Sequence, residues 1–334
     1  MTRIDTDVLV IGAGVIGLTT AVCLAEAGIA TAIAAADMPQ QTTSAAAGAL
    51  WGPHLVGRDD RIERWASVTR ERLDELTAPG LGANALDGVV RTASGMTAAR
   101  EEGADPPVFA ARTALTACLP ADVPAGYHSA WRLTAPIVAM PGYLEYLVGR
   151  FGRAGGATPF PVKISTLADA RVLAPSAHVI VNCTGSGARD LVPDPDVNPV
   201  RGQVVVMSNP GISDFFVGTA TDPTDLTYLF PHGDVVVLGG TEQPGNWSRE
   251  PDPATAERIV AACTIIRPEL RTASVLAHRV GLRPARPTVR LAAEPGDGVT
   301  IVHNYGHGGA GVTLSWGCAE DAAVLALDAL GALA

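Results

Sequence analysis

The chain has 334 residues, of which 47% are apolar and 17% charged, and its formal net charge is −10. Such a length suits one large or two interleaved domains, and so little charge argues against a disordered chain. The acidic balance repels phosphate backbones and anionic lipid surfaces, so neither a nucleic-acid partner nor a membrane is expected.

The five cysteines are an odd number with no C-x-x-C pair, which suggests neither a disulfide framework nor a metal site. Residues 8–27 are apolar enough to imitate a leader peptide, but three glycines interrupt them and Glu26 and Gly28 close them. A strand, a turn and a buried helix explain that stretch better. No other run is long and apolar enough for a membrane span, and the expected location is the cytoplasm.

Asp7 to Ile11 reads as a short buried strand. Val15 to Ala27 has helical spacing, which Gly28 stops, and a second strand follows over about 31–36. Between strand and helix lies Gly12-Ala-Gly-Val-Ile-Gly17. Gly12 permits a tight turn, Gly14 lets backbone approach a pyrophosphate, and Gly17 lets the helix pack on the strand. The helix start at Val15 and Ile16 offers unpaired N–H groups to phosphate. Asp37, twenty residues beyond Gly17, is placed to accept hydrogen bonds from ribose hydroxyls. In this context the motif predicts a dinucleotide, without separating FAD from NAD. A glycine-rich turn in a generic α/β fold is the plainer alternative.

Charges at helical spacing predict a surface helix over 56–80. Residues 81–140 are rich in Pro, Gly and Ala, and predict loops with short strands. A helix opens at Pro141, and the buried strand Val179–Asn182 runs into Cys183-Thr-Gly185. Apolar clusters at 203–207, 214–218, 226–231 and 234–239 predict an antiparallel sheet. Asp252 and Pro253 are placed to cap and start a helix that runs to about Ile266.

A second glycine-rich strand-to-helix turn, Asn304 to Thr313, could cradle another part of a cofactor. Its helix N-terminus can aim a dipole at a flavin carbonyl, which an NAD enzyme does not need. Between the two glycine motifs stand Arg283, Arg286 and Arg290, two of them stiffened by prolines. A guanidinium can grip a carboxylate with two parallel hydrogen bonds, although ordinary ion pairs would account for all three.

Together these segments resemble the D-amino-acid oxidase family, most closely its bacterial members. The resemblance rests on the opening glycine motif, Thr42-Thr-Ser44, Ala47-Gly-Ala-Leu-Trp51, Val181-Asn-Cys-Thr-Gly185 and Arg201-Gly-Gln203. It continues through Tyr228-Leu-Phe-Pro231, Gly245-Asn-Trp-Ser248, Gly281-Leu-Arg-Pro284 and His303-Asn-Tyr-Gly-His-Gly-Gly309. These occur in the family's order and cover most of the chain, with 81–135 matching poorly.

The resemblance implies an α/β fold. A Rossmann-like FAD-binding domain (1–52, 142–196 and 284–334) would be interleaved with a mainly antiparallel substrate domain (53–141 and 197–283). It implies tightly bound FAD, with Gly12, Gly14, Gly17 and Asp37 on the adenosine diphosphate and Thr42, Thr43 and Ser44 on phosphate or ribityl oxygens. Gly48, Ala49 and Leu50 would line the isoalloxazine edge, and Ile164, Thr184 and Gly185 would flank the adenine or diphosphate. Gly308, Gly309, Gly311, Val312 and Thr313 would surround the ring end. Arg283 and Tyr228 would hold the substrate carboxylate, and the Gly309 carbonyl the amine.

The implied reaction is hydride transfer from a D-amino acid, with O2 as acceptor, giving a 2-oxo acid, ammonia and hydrogen peroxide. The resemblance also admits a homodimer. Two departures bear on the substrate. The stretch Thr221–Thr227 lacks the tyrosine that lidded members carry, and His54 stands where D-aspartate oxidases have a histidine. D-aspartate oxidase, a glycine-oxidase-like or more specialised amine oxidase, an NAD-dependent dehydrogenase and a non-catalytic flavin binder are the competing readings.

Overall fold

The computed structural model describes residues 3–52, 56, 59–77, 88–106, 115–219 and 226–331. His54 and most of the Thr221–Thr227 stretch lie outside these residues. The strands are β1 (Val8–Ile11), β2 (Thr31–Ala35), β3 (Val90–Ala99), β4 (Thr116–Ala117), β5 (Ser129–Val138), β6 (Phe160–Pro161) and β7 (Val179–Asn182). They continue with β8 (Asn198–Ser208), β9 (Phe215–Thr219), β10 (Thr227–His232), β11 (Val235–Gly239), β12 (Gln243–Pro244), β13 (Val275–Pro295) and β14 (Thr300–His307). The helices are α1 (Val15–Glu26), α2 (Asp60–Thr77), α3 (Met140–Arg153), α4 (Leu167–Leu173), α5 (Ala188–Leu191), α6 (Pro253–Ile266) and α7 (Gly311–Gly331).

Among the described residues, all fourteen strands join one mixed sheet, in the order β4-β5-β3-β9-β10-β11-β8-β13-β14-β7-β1-β2-β6 with β12 beside β8. The segment β14-β7-β1-β2-β6 is parallel, as a strand–helix–strand sequence demands. Most of the remainder is antiparallel; β3 and β9 pair in parallel. The expected α/β architecture is present.

The first strand–helix–strand unit forms for the reasons legible in its residues. β1 is buried throughout, and α1 is buried almost all round because it lies between the sheet and the helices α3 and α7. Gly12 has φ +116°, and a Cβ there would sit 2.4 Å from the Cys183 carbonyl. At α2, Ile62, Trp65, Ala66, Thr69 and Leu73 form one buried stripe, and Asp59 Oδ1 accepts from the Ile62 N–H at 2.9 Å. The Asp252 carboxylate accepts from the Thr255 N–H at 2.9 Å and caps α6.

The described residues between 88 and 140 depart from expectation. They contribute two ten-residue strands, β3 and β5, paired over their full length. Their sequences are full of Ala, Ser, Thr and Gly, so alternation of apolar residues is weak. One small residue is there for packing: a Cβ on Gly95 would lie 2.3 Å from the Phe215 ring.

β13 is the longest strand. Its first half, from Val275 to Ala285, pairs with β8, and its second half, from Ala285 to Pro295, pairs with β14. The expected boundary at 283/284 therefore falls inside one continuous strand.

Candidate active site

A cavity of about 750 Å³ runs along the sheet between the first glycine turn and the strands β8 to β10. Both glycine-rich turns reach it. Gly12, Gly14, Val15 and Ile16 line one end, and Gly308, Gly309, Gly311, Val312 and Thr313 line the middle. Asp37, Thr42, Thr43, Ser44, Ile164, Thr184 and Gly185 also line it, as do Gly48, Ala49 and Leu50. So do Tyr228 and Arg283.

Among the fingerprint glycines, Gly17 takes the packing role its place predicts. It does not line the cavity; a Cβ there would lie 1.9 Å from the Gly12 carbonyl oxygen, so the residue serves the packing of α1 on the turn. The hydroxyls of the Thr42–Ser44 loop also make contacts within the protein. Thr42 Oγ1 donates to the Pro39 carbonyl, and the Val15 N–H donates to Ser44 Oγ at 3.0 Å. Thr43 Oγ1 bonds both the carbonyl and the N–H of Leu282, which fastens the loop to the strand that carries Arg283. Thr313 is likewise engaged with the backbone of Gly52, and Thr184 with Asn182. These hydroxyls fix the cavity wall more than they reach into it.

The Gly48–Leu50 segment is shaped by its neighbours. Ala49 adopts φ +56°, unusual for a residue with a side chain. The Trp51 N–H donates to Pro136 and the Val138 N–H to Ala49, making Leu50 and Ile137 a non-hydrogen-bonded pair. The N–H and C=O of Leu50 therefore point away from β5. Beneath, His232 Nε2 donates to the Gly48 carbonyl at 3.0 Å; burial holds its pKa down to about 4, so the ring is neutral.

Tyr228, Phe230, Val204 and Val217 share the other end of the cavity with Arg283 and make it mostly apolar, and Leu226 and Leu50 line the cavity as well. The Tyr228 and Phe230 rings stack with centroids 4.9 Å apart. Burial raises the Tyr228 pKa, and the adjacent Arg283 guanidinium opposes the rise, so the phenol keeps its proton. Arg283 Nη1 donates to the Thr241 carbonyl at 2.9 Å. The three candidate arginines are thus separated: Arg286 and Arg290 share buried Asp194, at 3.1 and 3.6 Å, while Arg283 enters the cavity.

The walls suit a long, mixed-polarity ligand. α1 and α7 both open on the cavity with no acidic residue in the first turn, a setting that favours anionic oxygen beyond the Val15 N–H, which is already bonded to Ser44 Oγ. Asn304 and His307 line the cavity, and their buried Oδ1 and Nε2 atoms have no hydrogen-bond partner among the described residues. Cys183 also lines it, but burial raises its thiol to about 12, so it is a small neutral wall residue and not a nucleophile. Among the described residues, no cluster of His, Cys, Asp or Glu could hold a metal.

The family described as FAD dependent oxidoreductase matches residues 7–325. The chain belongs to that family. A D-amino-acid oxidase from Rubrobacter xylanophilus is 43% identical over 98% of each chain. One from Streptomyces coelicolor is 45% identical over 96% of this chain and 97% of its own. A human D-aspartate oxidase is 34% identical over 98% of this chain and 96% of its own. The solved glycine oxidase from Geobacillus kaustophilus has the same fold, with a TM-score of 0.82 at 18% identity, covering 98% of this chain and 95% of that one. As a member of the FAD-dependent oxidoreductases, the chain takes FAD as its cofactor.

Several cavity residues carry no signal of their own in the sequence. Gly202 is one, marked in the sequence only as the middle of Arg201-Gly-Gln203: its place matters because a Cβ there would lie 2.5 Å from Arg283 Nη1. Trp247 and Arg249 are two more, although Trp247 sits in one of the motifs that carry the resemblance.

Proposed function

We propose that the protein is a D-amino-acid oxidase acting on neutral D-amino acids with apolar side chains. The observation that carries this reading is Arg283 beside protonated Tyr228, at an end of the cofactor cavity that is otherwise mostly apolar. A cation and a hydroxyl side by side match one carboxylate. An apolar wall beyond them matches an uncharged side chain.

In this reading Arg283 grips the substrate carboxylate through two N–H groups, and the Tyr228 hydroxyl donates a third hydrogen bond. The Gly309 carbonyl accepts from the substrate amine. Three fixed points select one enantiomer and hold its Cα toward the Gly48–Leu50 segment, whose Leu50 N–H would be free to hold the cofactor. Neither a protein acid nor a protein base is needed; the chain supplies orientation. The chemistry that bound FAD would supply is acceptance of a hydride from Cα and return of the electrons to O2 as hydrogen peroxide, so that the imine product would hydrolyse to a 2-oxo acid and ammonia. The reading goes with a cytoplasmic enzyme, in keeping with five cysteines that are all free.

Anaerobic flavin bleaching with D- and L-alanine, methionine, proline and aspartate tests the proposal. Bleaching by neutral D-amino acids and not by their L-forms is expected. Bleaching by D-aspartate alone would replace the reading with a D-aspartate oxidase, and bleaching by none of them would remove it.

A further inference from the structure

Of the five tryptophans, four are buried, and Trp247 is 45% exposed. It nonetheless lines the cofactor cavity, as does Arg249 two residues on. Arg249 Nη1 meets Asp37 Oδ2 at 2.6 Å, across 212 residues of sequence. Asp37 stands just past the end of β2, where the fingerprint places the adenosine ribose. The pair uses one carboxylate oxygen and leaves Oδ1 available.

The turn that carries both residues is held rigidly. Arg201, only 2% exposed, donates Nε to the Ser248 carbonyl at 3.0 Å and Nη2 to the Glu250 carbonyl at 2.5 Å. Its Nη1 donates to Gln243 Oε1 at 2.9 Å. Gln203, fully buried, exchanges hydrogen bonds with the backbone of Asp252. The Gly245 N–H donates to the Pro199 carbonyl. A buried arginine spent on loop carbonyls fixes a shape, and the shape presents Trp247 and Arg249 to the cavity beside Asp37.

We infer that the 245–250 turn is a fixed cover over the adenosine half of FAD, with Trp247 laid on the adenine and Arg249 a positioning residue for Asp37. An indole left half-exposed loses its water when a base stacks on it. Arg249 holds one oxygen of Asp37, so that the other is directed to the ribose hydroxyls. The turn follows β12, so cofactor retention depends on a segment remote in sequence from the glycine fingerprint.

Calorimetric titration of the full-length, flavin-stripped protein with FAD tests this. Base–aromatic stacking predicts about tenfold weaker FAD binding for Trp247→Ala, with Trp247→Phe restoring most of the affinity. Arg249→Gln is expected to weaken FAD binding about threefold and to reduce its salt dependence, as befits a half-exposed ion pair. Arg132→Gln, whose exposed side chain lies 4.0 Å from Asp214, is the control expected to bind FAD as the parent does. Parental affinity in both Trp247→Ala and Arg249→Gln would overturn the inference. So would equal loss in Trp247→Ala and Trp247→Phe, because an aromatic face would then not be what matters.

Discussion

The guanidinium of Arg283 occupies the space that a side chain at Gly202 would fill. A Cβ on Gly202 would lie 2.5 Å from Arg283 Nη1 and 2.6 Å from Cζ and Nη2. Gly202 pairs with Gly281 across β8 and β13, two residues before Arg283 on the same face. The clamp is seated in a notch cut by glycine. Gly202→Ala should displace the guanidinium without touching the cofactor turns, raising KM for a D-amino acid at least about tenfold. Arg283→Met should cost kcat/KM about 10²–10³-fold, since a desolvated carboxylate is left without its partner. Steady-state kinetics alongside the visible flavin spectrum checks both, with flavin retained in each.

Gly239 does for Tyr228 what Gly202 does for Arg283. The two residues pair across β10 and β11, and a Cβ on Gly239 would lie 2.0 Å from the Tyr228 ring. Tyr228→Phe removes one hydroxyl and should lower kcat/KM by about 3–10-fold. Gly239→Ala should lower it further, because the whole ring must move against Phe230. A ranking in which Gly239→Ala is the milder change would contradict this.

Asp194 anchors Arg286, Arg290 and the Tyr305 hydroxyl, the last at 2.7 Å. Burial alone would raise its pKa, but Tyr305 and Arg286 outweigh burial and hold it below the ordinary carboxylate value. Asp194→Asn leaves two arginines without their buried partner and should cost about 2–4 kcal/mol in urea unfolding. Because the folded pKa is the lower one, the carboxylate's contribution is fully present above about pH 4 and fades as pH falls below it. The variant's stability should therefore be flatter than the parent's at the acid end.

His307 and His232 act on a wider range of pH. Burial lowers their pKa values to about 3 and about 4, from an ordinary 6.5. The unfolded chain thus binds protons between pH 6.5 and those values that the folded chain refuses, so stability falls as pH falls through that window. Urea midpoints at pH 7 and pH 5 should differ. Replacing His232 with Gln, which keeps a donor for the Gly48 carbonyl, should narrow the difference.

The first strand–helix–strand unit was legible because its signals are local: a short apolar run, a glycine fingerprint and Gly28 closing the helix. The Asp252 cap was legible for the same reason. β3 and β5 were not, because their stability comes from pairing with each other and from Phe215 over Gly95, not from apolar alternation. Within the site, Arg283 could be named but not told from Arg286 and Arg290 by residue type. What separates them is buried Asp194 and a register shift in β13 between Ala285 and Arg290. Gly202, Gly239 and Arg249 matter only through contacts made far along the chain, which no local pattern announces.

β13 has a mechanical consequence. Ala285 is paired in both ladders, opposite Asn198 of β8 and opposite His307 of β14. A hinge opening between the cofactor turns and the Arg283 strand would have to tear a hydrogen-bonded ribbon at its midpoint. One strand thus ties the wall that carries Arg283 to the strand that leads into the second glycine turn.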